Sequence, residues 1–259
     1  MTTRQSLLST LKQTIVVSVQ ATGTEPLNTP EILTAMACSA LNGGAGGLRL
    51  AQASNLKAFR ALAPNQYKDS FLIGITKPDP LPADPLNAVF ITPTISELDA
   101  IAPHCQMVAT DATHRIRPDG NPLAAWVQHA RKAWPETLLM ADVSTLEEGL
   151  AADALGFDCV GTTLAGYTAH SLARQNPKSQ KSDQAIQPVQ PDFLLLEALV
   201  QQCQCPVILE GNVWTPAHVS QAFLMGAFTV VIGSAITRPQ LITQRFLQAC
   251  PSQPVELPQ

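Results

Sequence analysis

Eight short apolar, β-branched runs, each followed by a longer segment of helical period, limit what this chain can fold into more than any other feature. The runs are 14–20 (TIVVSVQ), 47–50 (GLRL), 71–76 (FLIGIT), 107–111 (MVATD), 138–143 (LLMADV), 159–163 (CVGTT), 206–211 (PVILEG) and 229–234 (TVVIGS). Helical signals occupy 30–41, 54–63, 96–102, 122–134, 145–155, 192–202, 216–225 and 239–249. Several begin on a cap, as in Thr215-Pro216 and in Ser144 to Glu147, where a hydroxyl can satisfy free N–H groups of the first turn. Two helices end at a glycine, Gly156 and Gly226, and lead directly into a strand, which is the pattern of a left-handed C-cap. A doubly wound open sheet usually has fewer strands and carries a nucleotide fingerprint. Eight strand and helix units instead predict a (β/α)8 TIM barrel. A ninth apolar piece, VFIT at 89–92, belongs on this count to the third strand-to-helix connection.

With 259 residues, 46% hydrophobic and 14% charged, the chain can bury the core of such a barrel as a single domain spanning 1–259. Two segments stand outside that pattern. The polar stretch at about 171–190 lengthens one connection and reads as a mobile insertion, with an active-site lid as the sharper alternative. The proline-rich tail from about 251 is expected to fray.

Net charge is −4 and the 16 basic residues are scattered, so nucleic acid and anionic membrane are not expected partners. No run approaches the roughly 18 apolar residues of a membrane span, and the N-terminus is amphipathic without a signal-peptide core. A cytoplasmic protein is expected. Six cysteines spread along a chain of this size read as reduced, mostly buried thiols. Cys203-Gln204-Cys205 is too close-spaced for a zinc clamp and the five histidines form no ligand pattern, so no metal site is expected.

In a (β/α)8 barrel the active site lies at the C-terminal ends of the strands. Those ends here are Gln20, Arg49, Lys77, Asp111, Asp142, Thr162 with Thr163, Glu210 with Gly211, and Gly233 with Ser234. Converging charges repel or need partners, so a polar ring of this kind points to function rather than to solvated strand ends. Lys77, at the end of FLIGITKPDP, is the most telling member. A lysine at a dry strand end can lose its proton near neutral pH, because burial disfavours the ammonium form; the nearby carboxylates and a bound phosphate would oppose that shift. The Gly-rich LNGGAGGLRL at 41–50 runs from helix to strand and is a turn rather than a nucleotide loop. Gly211-Asn212 and Gly233-Ser234 follow the last two strands, where backbone N–H groups of such barrels often hold phosphate, and Arg238 just beyond could bind it with two parallel hydrogen bonds.

The segments SVQA (18–21), GLRL (47–50), IGITKPD (73–79), TDATHRIRP (110–118), MADVSTLEEGLAA (140–152), GFDCVGTTLAGYT (156–168), PVILEGNVWTP (206–216) and VVIGSAITRPQLITQRF (230–246) closely resemble the N-acetylmannosamine-6-phosphate 2-epimerase family. The match runs in order from about Thr14 to Ala249, apart from the polar insertion. It implies a phosphate-binding TIM barrel and an isomerase that interconverts N-acetylmannosamine 6-phosphate and N-acetylglucosamine 6-phosphate, a step in the use of sialic acid. It also implies a homodimer. On the family pattern Lys77 and Glu210 are the acid/base pair, and Gln20, Arg49, Asp111, Asp142 and Arg238 are substrate-contacting or supporting residues. Thr162, Gly211, Gly233 and Ser234 complete the expected substrate-binding set. The chain departs from the pattern at Pro78, which follows the lysine where an arginine is common.

Inverting the carbon beside a sugar aldehyde requires ring opening, loss of the C2 proton, a stabilised enolate and return of a proton to the other face. No cofactor is called for. Two other readings suit the same residues: a Schiff-base aldolase using Lys77, and a non-catalytic sugar-phosphate sensor. A plain salt bridge from Lys77 to Glu210 is the structural alternative for that pair.

Overall fold

The computed structural model describes residues 3–175 and 190–250. Strands β1 (Ile15–Val19), β2 (Gly47–Ala51), β3 (Leu72–Ile75), β4 (Met107–Asp111), β5 (Leu138–Asp142), β6 (Cys159–Gly161), β7 (Val207–Glu210) and β8 (Thr229–Ile232) form a closed parallel barrel in sequence order. Closure comes from β8 pairing back onto β1, with Ile15 opposite Val230 and Val17 opposite Ile232. Successive side chains of a strand point to opposite faces. Ile73, Met107, Leu138, Met140, Cys159, Ile208 and Val231 therefore fill the interior. Their neighbours Leu72, Val108, Leu139, Val160, Leu209 and Val230 pack outward on the helices. Both faces are buried, which is why the strands read as unbroken apolar runs.

The outer layer consists of α2 (Pro30–Asn42), α3 (Ala53–Leu62), α4 (Ile95–Ile101), α5 (Leu123–Ala133), α6 (Leu146–Ala154), α8 (Phe193–Gln202) and α9 (Pro216–Leu224), with α11 (Pro239–Leu247) after β8. Their starts follow the cap signals. Thr29, Thr94, Thr145 and Thr215 each accept a hydrogen bond from a first-turn N–H, an interaction stabilising a helix by about 1 kcal/mol. The capping partner of Thr145 is Glu148 rather than Glu147. Gly156 and Gly226 take positive φ, 85° and 95°, as the C-cap pattern requires.

Three further helices were not anticipated. α1 (Thr3–Ser9) precedes β1, and Leu8 and the following Leu11 join Val16 and Phe71 in the interior cluster, closing the barrel at its N-terminal end. α7 (Ala169–Gln175) occupies the start of the stretch expected to be an irregular insertion; the remainder of that insertion and the tail from 251 lie outside the described residues. α10 (Ser234–Thr237) is a single turn after β8.

The VFIT segment is not a strand. It enters the C-terminal end of the barrel between β3 and β4, whose own ladder is short. The Thr92 N–H donates to the Thr76 carbonyl at 3.0 Å and the Asp111 N–H donates to the Ile91 carbonyl at 2.9 Å. Phe90 and Ile91 thereby join the interior cluster. Arg117, itself buried, fixes the wedge by donating to the carbonyls of Thr92 (3.0 Å), Pro93 (2.8 Å) and Asp111 (2.7 Å).

The cysteines are all unpaired, and only Cys159 is fully buried; Cys38, Cys105, Cys203 and Cys205 are intermediate and Cys250 is exposed. Burial of these thiols is thus less complete than their residue type suggests.

Candidate active site

The alternation that fills the interior with apolar side chains places a polar layer at its C-terminal end. Arg49, Asp111, Asp142 and Glu210 continue the inward-facing rows of β2, β4, β5 and β7, and register sets Ser18 opposite Arg49 and Asp111 opposite Asp142. Arg49 is the hub. Its guanidinium has no exposed surface and donates twice to Asp142, at 3.1 and 2.7 Å, and once to Glu210 Oε2 at 2.8 Å. Nη1 also lies 3.8 Å from Met140 Sδ, one layer deeper. Met140 Cε packs over Gly161, where a Cβ would fall 2.4 Å away and oblige the flexible methionine tip to move.

Burial alone would lower the Arg49 pKa, but Asp142 and Glu210 outweigh it and hold the guanidinium above its ordinary value. Burial pushes the Glu210 carboxyl up, and repulsion from Asp142 adds to the effect against the attraction of Arg49 and Lys77. Glu210 is also the carboxylate of the pair open to the mouth: 13% of its side chain is exposed, against none for Asp142. Lys77 stands just past β3 within electrostatic reach of the cluster. Burial lowers its pKa to about 8, helped by Arg49 and Arg238 and opposed by Glu210 and Asp142. The competition left open by the sequence is thus won by desolvation. The carboxylate of Glu210 is paired with Arg49, not with Lys77 in the simple bridge considered as an alternative.

Other expected residues lie around this centre. Gln20 donates to Ser18 Oγ at 2.6 Å and, with Gln52, Asn55, Asp79 and Lys77, lines a cavity of ≈ 230 Å³. Asp111 is buried but serves a different partner. It receives Arg115 Nη2 at 2.6 Å and both the N–H and hydroxyl of Thr113, so it orders the loop after β4. Burial raises its pKa, with Arg115 as the main opposing influence. Gly211 and Asn212 both have positive φ, 106° and 56°, giving the sharp turn after β7 for which glycine is suited. Gly233 caps α10, and Thr237 Oγ1 ties that turn to the Ser18 carbonyl at 2.8 Å. Arg238 is engaged: it pairs with Glu25 in the loop after β1.

The two threonines after β6 divide their work. Thr162, the one expected to bind substrate, donates to the Glu210 carbonyl at 2.9 Å and accepts from the Glu210 N–H at 3.1 Å, extending the barrel wall. The inward hydroxyl is that of Thr163, 2.6 Å from Asp142 Oδ1 and 3.2 Å from Glu210 Oε2. Alternation counted from β6 would have selected it, since it continues the row of Cys159 and Gly161. Tyr167 was also missed; although it is 49% exposed, its pKa is raised by partial desolvation and by the nearby Glu210, and no local sequence signal marks it. Among the described residues no group of three or more His, Cys, Asp or Glu side chains is arranged to hold a metal ion.

A lysine whose pKa burial lowers to about 8, a carboxyl whose pKa burial raises, and a buried guanidinium are together suited to moving a proton at carbon and steadying the oxyanion left behind. Comparison with known proteins points the same way. The family model described as "Putative N-acetylmannosamine-6-phosphate epimerase" matches residues 33–252. A curated relative from Enterobacter sp. (strain 638), described in those terms as a 2-epimerase, is 40% identical over 246 residues, covering 95% of this chain and 96% of its own. The solved structure of the N-acetylmannosamine-6-phosphate 2-epimerase from Clostridium perfringens is 38% identical and superposes with a TM-score of 0.79, covering 94% of this chain and 96% of the other. A deoxyribose phosphate aldolase from Aeropyrum pernix, 14% identical with a TM-score of 0.60 and 94% coverage of both chains, shares the fold alone.

Proposed function

Because the chain belongs to the N-acetylmannosamine-6-phosphate epimerase family, we propose that it interconverts N-acetylmannosamine 6-phosphate and N-acetylglucosamine 6-phosphate by removing and returning the proton at C2. The observation that carries this reading is Lys77, with a pKa lowered to about 8, set beside the buried Arg49 and Asp142 and the part-buried Glu210. Neutral Lys77 takes the C2 proton. Glu210 supplies or relays the proton on the second face. Arg49 keeps the two carboxylates in place and offers positive charge to the enolate.

The phosphate is assigned to the far side of the mouth. First-turn N–H groups of a helix have no intrahelical partner, so Gly233, Ser234 and the turn at Gly211 supply backbone donors, and Arg238 joins them by giving up Glu25. Gln20 is assigned to the sugar, with Asp111 and Thr162 supporting the loop and wall around it. The setting proposed is amino-sugar and sialic acid catabolism in the cytoplasm. No helix among the described residues is long and apolar enough to cross a membrane.

A homodimer is proposed as the working form. A groove of ≈ 840 Å³ lies between α2, β1 and α9, lined by Ile32, Met36, Ala40 and Phe223 among others. α11 buries none of its residues and leaves Phe246 73% and Leu247 61% exposed. Apolar surfaces of this kind in one chain are what a second copy would cover.

Proton NMR of N-acetylmannosamine 6-phosphate with the protein in D2O tests the activity. N-acetylglucosamine 6-phosphate carrying deuterium at C2 is the expected product. Binding without exchange would move the protein to the sensor reading, and borohydride trapping on Lys77 would move it to the aldolase reading.

A further inference from the structure

We propose that Glu25 is a specificity-determining residue of the phosphate site: its carboxylate competes with the substrate phosphate for the guanidinium of Arg238, so that the phosphorylated sugar binds by exchange rather than by simple addition. The inference rests on the assignment of Arg238 to the phosphate for its meaning. Its physical content is one exchangeable ion pair.

The arginine–carboxylate pairs at the C-terminal end of the barrel differ in how readily they can be traded. Arg49, Asp142 and Asp111 have no exposed side-chain surface. Taking a partner away from any of them leaves an uncompensated buried charge. In the pair of Arg238 Nη2 with Glu25 Oε1 both side chains are open, 24% and 21% exposed. Either can turn to another partner without stranding a charge.

The loop after β1 is built to survive that trade, because it is bonded within itself. Thr22 Oγ1 donates to Glu25 Oε1 at 3.1 Å, the Asn28 N–H to the Glu25 carbonyl at 2.9 Å and Asn28 Nδ2 to the Gly23 carbonyl at 3.0 Å. A further tie comes from the loop after β3, where Asp79 Oδ2 accepts from the Gly23 N–H at 2.6 Å. Giving up Arg238 thus leaves Glu25 with the Thr22 hydroxyl and solvent, and leaves the loop fastened two residues beyond Lys77. Gln20, Thr22 and Asn28 line the cavity to which Lys77 also contributes, so the exchange takes place in the wall of the site.

Arg238 faces the same region: it follows β8 and α10 and lies close enough to Lys77 to disfavour the ammonium form. A carboxylate and a phosphate present the same kind of oxygen to a guanidinium, and each is held best by two parallel bonds. A phosphate monoester carries a charge of about −1.5 to −2 at neutral pH. Binding it while Glu25 stayed in place would set two anions on one cation, and the singly charged carboxylate is the one that yields. A sugar without phosphate has nothing to exchange and leaves the pair intact.

The test measures binding of inorganic phosphate by calorimetry to the wild type, Glu25→Gln, Arg238→Gln and the double variant. Glu25→Gln keeps an acceptor for Thr22 but removes the charge, and is expected to tighten phosphate binding about fivefold, the scale of a partly exposed ion pair. In the Arg238→Gln background the same change is expected to act by less than about twofold, since nothing is left to compete for. KM for N-acetylmannosamine 6-phosphate should fall by a factor similar to the first with kcat little changed, while binding of N-acetylmannosamine itself should not move. Phosphate binding that is unchanged or weaker in Glu25→Gln overturns the proposal. An equal gain in both backgrounds, which is an effect of net charge alone, overturns it as well, as do phosphate binding undiminished by Arg238→Gln and a lack of binding in both the wild type and Glu25→Gln. Glu25→Ala provides the same comparison if the glutamine variant does not fold. Calorimetry needs no turnover, so a wild type that binds phosphate by this exchange yet fails to epimerise would be a failure of the functional reading alone.

Discussion

A half-buried lysine with a lowered pKa affects stability as well as chemistry. Below about pH 8 Lys77 is protonated in both the folded and unfolded chain, and the folded protein bears the full cost of its burial. Between about 8 and its ordinary value of 10.5 the unfolded chain holds a proton that the folded chain has released. Stability contributed by this residue therefore rises with pH over that window, by up to about 3 kcal/mol. Urea unfolding at pH 8 and pH 10 should show the rise in the wild type and lose it in Lys77→Met, which should also abolish C2 exchange; a slope that survives the substitution would assign it to other groups. Asp142 makes the opposite case. Asp142→Ala leaves a buried guanidinium short of two hydrogen bonds and should destabilise by about 3–5 kcal/mol, read as a lower urea midpoint. At this scale the sequence was legible wherever strand alternation could be counted: Arg49, Lys77, Asp142 and Glu210 were all named from strand ends. Pairing was not legible. Which carboxylate Arg49 would hold, that Arg238 would pair with Glu25, and which of two adjacent threonines would face inward depend on the closure of the barrel rather than on local spacing.

Elements were readable to the extent that their apolar period reflected a regular structure. The eight strands and their following helices announced themselves because burial on both faces, or on one stripe, repeats along the chain. The VFIT segment shows where that inference stops. It is apolar because it is buried among strand ends, and its backbone bonds go to Thr76 and Asp111 rather than to a ladder of its own. Periodicity cannot separate the two. Ile91 is 1% exposed within the interior cluster, so Ile91→Ala should cost about 2–5 kcal/mol by chemical denaturation. Because the wedge also holds the start of the loop after β4 through Arg117, activity should fall with it, even though Ile91 is not assigned to the chemistry. The short helices α1, α7 and α10 escaped notice for a plainer reason. Each has seven residues or fewer, which leaves little room for a helical period to stand out, although α4, also seven residues, is legible.

For the whole molecule, the exposed Phe246 and Leu247 on α11 carry a prediction about assembly. Replacing both by glutamate should leave the barrel folded but shift the protein toward monomer in light scattering; an unchanged mass would remove α11 from the proposed interface. The closing ladder has a separate consequence. β1 borders β2 on one side and, through residues 15–17 and 230–232, β8 on the other. A chain emerging from the ribosome therefore carries an open sheet edge on its first strand until β8 has been made. Open edges invite pairing with other chains, so a product that stops short of Thr229 would be left with two of them, on β1 and on β7. Synthesis and escape from aggregation are thus coupled in this protein to the arrival of one four-residue strand, the last of the barrel.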